Sequence, residues 1–435
     1  MRRAALALLG VFVPSGVRSA LRISRIRWFL AGLATDQFAD TFWLVTLGWV
    51  AGQNASPALY GAIMTVGTLP AMGLFLPGGS TSDRVGAGTV LLATSLARAG
   101  LAAVWLLFSM HSWSSGAIVV AVTIVAILYD TSIGYHAPAR ESYVTVLTST
   151  EQQVADANDA ERLIARLGQT LGAVSAGFFV GSHLGGAFVF FAITVVTWLI
   201  FVRVRRIAQR EPQVAIPVSS ASANYGGMKE GINLLRAEPV LLRTYPLQSL
   251  TSMAGGGTVT VGGVLLVHEH GWAGATYGLA MGLFVLGIFI GTRTGIAIRE
   301  NAVARPVSIA VSGSLLAAIV EVAAALTPNS TVYLIGCLLI GLLTGPMGPI
   351  LTGYAKVRAK SLEHEHGKVV AGRLLAPLNL GLSLEPVGYL VVAVSAATVS
   401  PGLGIVVLAA LTIVVAIAAL VSRAVQAARL PSNLS

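Results

Sequence analysis

The sequence is poor in charged residues. Asp, Glu, Lys and Arg make up 11% of its 435 residues, whereas about a quarter is usual in soluble globular proteins. Hydrophobic residues make up 55%, and the mean hydropathy is +0.79. This composition excludes a chain of water-soluble domains with polar surfaces, which the length alone would allow. It indicates a protein of the lipid bilayer.

Cysteine is almost absent, and two kinds of ligand-binding motif are missing or incomplete. Cys337 is the single cysteine, so the chain has no internal disulfide and no cysteine pair for zinc or redox chemistry. No Gly-x-x-x-x-Gly-Lys-Ser/Thr loop occurs, so ATP is not expected as the energy source. His268 to His270 and His364 to His366 are His-Glu-His segments in predicted loops, and such adjacent ligands do not by themselves form a tetrahedral site. We expect no metal and no other cofactor.

Long apolar runs, by contrast, are abundant. A hydrocarbon core of about 30 Å needs about 20 apolar residues per helix, and runs of that length predict transmembrane helices. Twelve are predicted: Trp28 to Ala51, Ala58 to Pro77, Thr89 to Phe108, Ser115 to Tyr135, Leu163 to Val180, Gly185 to Arg203, Leu241 to Val267, Ala273 to Arg293, Pro306 to Ala325, Val332 to Leu351, Gly372 to Ala393 and Leu403 to Val421. The runs are continuous and longer than the strands of an outer-membrane barrel. The predicted fold class is therefore an all-α integral membrane protein.

The basic residues lie on one side of the predicted membrane. If both termini are cytoplasmic, all 28 basic residues fall in or near the cytoplasmic segments, and the six loops on the opposite side contain none. The positive-inside rule explains this asymmetry, so the net charge of +10 sets the topology and nucleic-acid binding is not expected. We expect a multi-pass protein of the bacterial cytoplasmic (inner) membrane with both termini in the cytoplasm.

The predicted spans form two groups of six, separated by the longest loop. The predicted segments are a cytoplasmic N-terminal segment (1–27), an N-terminal six-helix bundle (28–204), a central cytoplasmic loop (205–239), a C-terminal six-helix bundle (240–422) and a cytoplasmic C-terminal tail (423–435). We interpret the first segment as an interfacial helix rather than a cleaved signal peptide, since cleavage would place its arginines on the wrong side.

Short segments recur at equivalent places of the two halves. When the sequence is aligned with itself at a shift of 217 residues, Ala58-Leu59-Tyr60-Gly61 matches Ala275-Thr276-Tyr277-Gly278, and Gly78 matches Gly295. These matches favour an internal duplication. Such duplication is typical of transporters that rock one bundle against another.

Two motifs resemble a known family. The loop Gly79-Ser80-Thr81-Ser82-Asp83-Arg84-Val85-Gly86 resembles the Gly-x-x-x-Asp-Arg-x-Gly loop of the major facilitator superfamily. Pro138-Ala139-Arg140-Glu141, with Ala157-Asn158 and Gly168, resembles its efflux branch, which exports drugs, macrolides and siderophores such as enterobactin. The resemblance implies two six-helix bundles of the major facilitator fold and transport by alternating access.

The loop residues Gly79, Asp83, Arg84 and Gly86 have two interpretations. The resemblance implies a cytoplasmic gate, a latch that stabilises the outward-open state. From the residues themselves, glycines permit a tight turn, and Asp83 is predicted to cap the start of the third helix. A turn that only sets topology is the alternative.

The fifth span contains a small-residue motif. Gly168, Gly172 and Gly177 resemble the antiporter signature Gly-x-x-x-Gly-Pro-x-x-Gly-Gly, although Ala173 replaces the proline and Ala176 replaces a glycine. Small residues at this spacing also allow close packing of helices. Plain helix packing is therefore the alternative to an export signature.

Three charged side chains are predicted to meet inside the membrane. At about 1.5 Å per residue from the cytoplasmic end, Asp36 and Asp40 lie about 12 and 18 Å deep, and Arg98 lies about 14 Å deep. The two acids are four residues apart and share one helix face. One arginine for two carboxylates leaves a spare negative charge, so one acid is a candidate proton carrier. Asp36 is favoured as the titrating group, with the reverse assignment and a static ion pair left open.

Asp130 and Glu385 complete the set of residues predicted for proton coupling or the substrate cavity. Asp130 of the fourth span is placed near the cytoplasmic mouth, and Glu385 of the eleventh is placed near mid-depth beside Pro386. Proline leaves a backbone carbonyl free, and a carboxylate beside it suits a cationic substrate. Hydrogen bonding to neighbouring helices is the alternative role for Glu385.

The combined prediction is a monomeric secondary transporter that exports a small amphipathic or drug-like compound, such as an antibiotic, siderophore or secondary metabolite, in exchange for protons. A proton-coupled importer of a small metabolite or siderophore, or a transporter-like sensor without turnover, is the alternative. Catalytic activity is not expected, because the acids are dispersed over five helices with no cluster of nucleophile and base.

Overall fold

A computed structural model describes residues 15–210, 238–297, 306–351 and 384–429, together with Asn233, Arg236, Tyr354, Ala355 and Arg358. These residues form α-helices joined by short turns. The helices are α1 (Ser15–Arg22), α2 (Ser24–Asn54), α3 (Pro57–Val85), α4 (Ala87–Ser109), α5 (Ser115–Val146), α6 (Glu151–Phe179), α7 (His183–Arg210), α8 (Pro239–Gly256), α9 (Gly262–Glu269), α10 (Ala275–Ala297), α11 (Pro306–Leu326), α12 (Ser330–Thr344), α13 (Glu385–Thr398) and α14 (Pro401–Arg429).

The structure confirms the all-α membrane fold. Nine helical segments of the described chain are long and apolar enough to cross a bilayer. Helices α2 and α6 are also long but carry more charge, and α13 has 14 described residues because the start of its predicted span lies outside the described ranges. Together these helices are consistent with the twelve predicted spans.

Two helices extend further toward the predicted cytoplasmic side than their apolar runs. Helix α5 continues beyond Tyr135 to Val146, and α6 begins at Glu151 rather than Leu163. The side chain of Thr150 accepts a hydrogen bond from the Gln153 amide, while Gln153 accepts one from the Ser149 amide, which resembles a capping box. Hydropathy locates the part of a helix that lies in lipid, whereas caps set where the helix ends. The longer α5 therefore includes polar residues that were assigned to a loop.

The chain divides into two compact units. The first contains residues 1–54 and 66–219, and the second contains residues 55–65 and 220–435. In the first unit α2 packs against α6 and α7, and α4 packs against α5 and α7. In the second unit α10 packs against α12, and α14 packs against α11 and α13. The predicted domain limits remain predictions.

A short amphipathic helix precedes the first span. Val17 and Ala20 of α1 are buried, whereas Arg18 and Arg22 are exposed. The helix packs against α6 of the first unit. The burial of one face only agrees with an interfacial helix, which remains a prediction.

The span that begins at Pro239 is interrupted by a π-helix, Gly257–Val261, between α8 and α9. It is also the most enclosed apolar span, with 83% of its most apolar window buried against 50% in the next most buried span described. Lipid therefore contacts it least. Tyr60 and Tyr333 donate hydrogen bonds to the carbonyl groups of Thr260 and Thr258, at 3.4 and 3.2 Å. π-Helices are rare and occur often at functional sites.

Candidate functional site

Asp36 of α2 lies in the interior of the first unit and has basic partners on both sides. Its carboxylate Oδ1 accepts a hydrogen bond from Arg98 Nη1 at 2.7 Å. Its Oδ2 lies 3.2 Å from His136 Nε2 and 3.3 Å from Arg140 Nη1. The side chain is 2% exposed. Two guanidinium groups therefore stabilise the ionised form of this carboxyl group.

Asp40, one helical turn later, has a different environment. Its Oδ1 accepts a hydrogen bond from the Tyr129 hydroxyl at 2.8 Å and lies 3.3 Å from Arg98 Nη1. Its Oδ2 accepts a hydrogen bond from Gln37 Nε2 at 3.2 Å. The side chain is 20% exposed. Two of its three partners are neutral, and it shares Arg98 with Asp36.

Arg98 of α4 joins the two acids and is itself held in place. Its Nε donates a hydrogen bond to Ser132 Oγ at 2.9 Å, and its guanidinium carbon lies 5.0 Å from the centre of the Tyr129 ring. The prediction that the first and third spans bring Asp36, Asp40 and Arg98 together is confirmed. The prediction of a single compensating cation is wrong, because Arg140 is a second one.

Helix α5 supplies partners that the sequence analysis did not include. Tyr129, Ser132, His136 and Arg140 are spaced by three or four residues, so they share one helix face. His136 Nδ1 also contacts Thr94 Oγ1 of α4 at 2.8 Å. The periodic spacing could have revealed this face. It was missed because the apolar run ends before His136.

The small-residue motif of α6 positions the acids of α2. A Cβ atom added to Gly168 would lie 2.5 Å from the carbonyl oxygen of Ala34, and one added to Gly172 would overlap the carbonyl oxygen of Phe38. These glycines therefore let the α2 backbone approach closely. Gly177 is buried in the same helix. The contacts agree with helix packing, and the role as an export signature remains a prediction.

A line of hydrogen bonds connects the same motif to Asp40. Gln169 Nε2 donates to Gln37 Oε1 at 2.6 Å, and Gln37 in turn donates to Asp40. Arg166 Nη1 donates to Gln169 Oε1 at 2.9 Å. On the other side of the cluster, Arg140 Nε lies 3.5 Å from Glu161 Oε1 of α6. Helices α2, α4, α5 and α6 thus share one polar network.

A small pocket reaches this network. Four helices line it with seven residues: Asp36, Ala39, Ser95, Arg98, Tyr129, Thr194 and Thr197. The lining therefore includes neutral polar side chains in addition to the ion-paired Asp36 and Arg98. The pocket thus adjoins the ion pair of Asp36 and Arg98.

The other predicted residues lie elsewhere. Asp130 is half-buried and lies midway along the lengthened α5, and its place near the cytoplasmic mouth remains a prediction. Glu385 belongs to the second unit, where its side chain is exposed and accepts a hydrogen bond from the Tyr389 hydroxyl at 3.2 Å. Pro386 stands in the first turn of α13, so it breaks no hydrogen bond within the described part of that helix.

The loop motif is built differently from the prediction. Asp83 does not cap the next helix, because it lies in the last turn of α3 and α4 is preceded by Gly86 without a side-chain cap. Gly86 has a φ angle of +87°, which disfavours other residues. Asp83 and Arg84 are exposed, and neither forms an ion pair within the described part of the chain. Gly79 has room for a Cβ atom. The latch role of these four residues remains a prediction.

Two predicted features fall on other parts of the chain. His364 to His366 lie outside the described residues, whereas His268 is exposed at the end of α9. A separate ion pair joins Arg358 Nε to Glu238 Oε1 at 2.7 Å, just before α8. It belongs to the second unit.

The sequence profile of the major facilitator superfamily matches residues 28–375. The chain belongs to this superfamily. It is therefore a multi-pass membrane transporter whose substrate is a small molecule. No curated protein sequence matches the chain significantly.

Several solved structures share the fold. The nucleoside transporter NupG is 14% identical with a TM-score of 0.64, and the match covers 92% of this chain and 98% of that one. A bacterial homologue of the iron transporter ferroportin, in an inward-facing state, is 15% identical with a TM-score of 0.63, covering 92% and 98%. A POT family transporter in complex with 5-aminolevulinic acid is 12% identical with a TM-score of 0.64, covering 90% and 95%. Identities this low show the fold alone.

Proposed function

We propose that this protein is a proton-coupled exporter of a small amphipathic or drug-like compound, without enzymatic activity. The observation that carries the proposal is the buried network of Asp36, Asp40, Arg98 and Arg140 in the first unit. Ionised groups in the membrane interior are costly and usually functional. Export and the substrate class are supported by the segment at Pro138 and by the glycines of α6, which resemble the efflux branch. The charge asymmetry of the loops supports a bacterial inner-membrane location with cytoplasmic termini.

Asp40 is the better candidate for the proton carrier. Protonation of Asp36 would leave Arg98 and Arg140 with less negative charge between them, whereas protonation of Asp40 leaves the 2.7 Å pair of Asp36 and Arg98 intact. Asp40 is also the more exposed acid and has the neutral partners Tyr129 and Gln37. This assignment reverses the one favoured from the sequence. Asp36 then serves as a permanent counter-ion.

The proposed cycle uses alternating access in a monomer. Substrate enters from the cytoplasm as Asp40 loses its proton, and a proton from outside then displaces the substrate. One charge crossing 100 mV supplies about 2.3 kcal/mol. This energy supports a concentration gradient of roughly fifty-fold. The driving force is therefore sufficient without ATP.

The test is transport by purified protein in liposomes under an imposed pH gradient, with a macrolide, a siderophore and ethidium as probes. Wild type is expected to move at least one probe against its gradient and to lose this activity when a protonophore is added. Asp40→Asn should abolish gradient-driven movement while leaving exchange of probe for probe, because binding and rocking need no proton transfer. Asp36→Asn should impair both, because it unbalances the ion-pair network.

Asp159→Asn is the matched control, since Asp159 is an exposed acid near the start of α6. It should transport at the wild-type rate. Gradient-driven efflux that survives in both Asp36→Asn and Asp40→Asn would refute the proton assignment. Uptake from the external side in vesicles of known orientation would indicate an importer, and probe binding without any flux would indicate a sensor.

A further inference from the structure

The second unit contains a buried carboxyl group that the proposed cycle does not use. Glu321 of α11 is 1% exposed, about 8 Å along the helix from its last residue. Within the described part of the chain, its Oε1 has no hydrogen-bond partner and no basic side chain forms an ion pair with the carboxyl group. Buried polar atoms without partners are rare and call for an explanation.

The helices around α11 offer it little charge. Helix α12 packs closely against α11 beside Glu321. A Cβ atom added to Gly336 would lie 3.0 Å from Ala324 Cβ and 3.8 Å from Val320 Cγ1. The next residue, Cys337, is fully buried. Among the helices described, α8 and α14 also pack on α11. Titratable residues of α8 are confined to its first two turns, and residues 401–421 of α14 contain none.

Tyr333 is a second polar residue of this region and lies one turn before Cys337 on α12. Its hydroxyl donates a hydrogen bond to the Thr258 carbonyl of the π-helix. The Trp272 ring packs against Tyr333 with centroids 5.4 Å apart and lies in the turn after α9. Tyr333 thus lies between Cys337 and the predicted outer loop that contains Trp272.

An ionised carboxylate in such surroundings would lack compensation. Burying a charge without a partner costs several kcal/mol, whereas a neutral carboxylic acid loses far less solvation. We infer that Glu321 is a second proton-binding site, located in the second unit and independent of the acids of α2. It goes beyond the proposed function, which uses a single carrier at Asp40. The bound proton is exchanged with water on the outer side, and no covalent chemistry is involved.

The first test is infrared spectroscopy of the purified full-length protein in nanodiscs, in potassium buffer. The C=O stretch of a protonated, dehydrated carboxyl group is expected at neutral pH in wild type and in Asp40→Asn. Glu321→Gln, which keeps the size of the side chain, should lose this band, and its proton release on a jump to high pH should fall by one proton per protein. Glu269→Gln is the matched control, since Glu269 is exposed at the end of α9, and it should retain the band.

Persistence of the band in folded Glu321→Gln would overturn the inference. Disappearance of the wild-type band when sodium replaces potassium would also overturn it, because the carboxylate would then hold a cation. If Glu321→Gln does not fold, Glu321→Asp serves instead, since it keeps the carboxyl group but moves it along the helix surface and should shift the band. A band of unchanged frequency would then refute the assignment.

The inference and the proposed function fail in different ways. A Glu321 band in a protein whose transport ignores the pH gradient would leave the proton site standing and refute proton-coupled export. Loss of gradient-driven transport in Asp40→Asn, together with no band from Glu321, would support proton-coupled export and refute the Glu321 site.

Discussion

At the scale of single residues, Asp36 and Asp40 show how partners separate two chemically identical groups. They lie on the same face of α2, yet Asp36 pairs with Arg98, Arg140 and His136, while Asp40 is bonded to Tyr129 and Gln37. An ion pair on each side fixes one carboxylate, and neutral donors leave the other free to change its protonation state. The two proposed roles need such different surroundings, because a proton carrier must change its protonation state whereas a counter-ion must stay ionised.

Arg98 is the residue on which both acids depend. Arg98→Gln should destabilise the protein by about 3–5 kcal/mol, because removal of one partner leaves buried charges uncompensated. Arg98→Lys should be less damaging, since it keeps the charge but not the forked geometry that reaches Ser132 and both acids. Thermal unfolding in detergent measures the change.

The control for this prediction is Arg84→Gln, because Arg84 is exposed at the end of α3 and has no ion pair in the part of the chain described. Its effect should stay within about 0.5 kcal/mol. Equal unfolding temperatures for Arg98→Gln and Arg84→Gln would show that the network contributes nothing to stability.

At the scale of helices, the contact of α2 with α6 fixes the depth and rotation of the acids. Glycines on α6 meet backbone atoms of α2 directly, so the two helices cannot slide without losing this fit.

Close helix contacts at glycine occur in both halves of the chain. A Cβ atom on Gly78 would overlap the Gly134 carbonyl, and one on Gly295 would lie 2.8 Å from Pro346 Cα. The recurrence supports the internal duplication suggested by the sequence.

Gly172→Ala should force α2 and α6 apart, because the new methyl group would overlap the backbone of Phe38, which cannot rotate away. We expect a loss of about 1–3 kcal/mol, the usual cost of overpacking, and reduced transport because the acids move. Unfolding in detergent and transport in liposomes measure the two effects.

Gly100→Ala is the matched control in α4, where an added Cβ has nothing within 4 Å. It should leave transport unchanged and stabilise the helix by up to about 1 kcal/mol, since alanine is the better helix former. If both alanine variants behave alike, the close approach of α2 and α6 is not required.

At the scale of the whole molecule, the distribution of charge between loops predicts which ends of the helices face the cytoplasm. The helices carry the apolar surface that holds the protein in the bilayer, and the arginines resist translocation. This prediction is independent of the site chemistry. It rests on the sequence and can be tested by labelling.

Cys337 is buried and is the only cysteine, so Cys337→Ala provides a background without thiols. In that background Ser112→Cys, between α4 and α5, should react with a membrane-impermeant maleimide in intact cells. Asp159→Cys, near the start of α6, should react only after the cells are permeabilised. The opposite pattern would place both termini outside.

Much of the architecture followed from the sequence. Apolar runs of about 20 residues have one stable arrangement in lipid, since only helices satisfy their backbone groups within a single segment. The runs therefore located the helices, and a depth estimate along α2 and α4 correctly brought Asp36, Asp40 and Arg98 together. Each of these inferences uses distances along one helix, which the sequence contains.

The tertiary structure decided what depends on rotation, helix ends and neighbours. Hydropathy ends the fourth predicted span at Tyr135, so His136 and Arg140 lie beyond it, although they contact Asp36. Asp40 is the proposed carrier because its partners include the neutral side chains of Tyr129 in α5 and of Gln37, which Gln169 of α6 contacts. The isolation of Glu321 appeared only when its surroundings were known. The charged groups around a buried acid come from several helices, so a single stretch of sequence does not show how its charge is balanced.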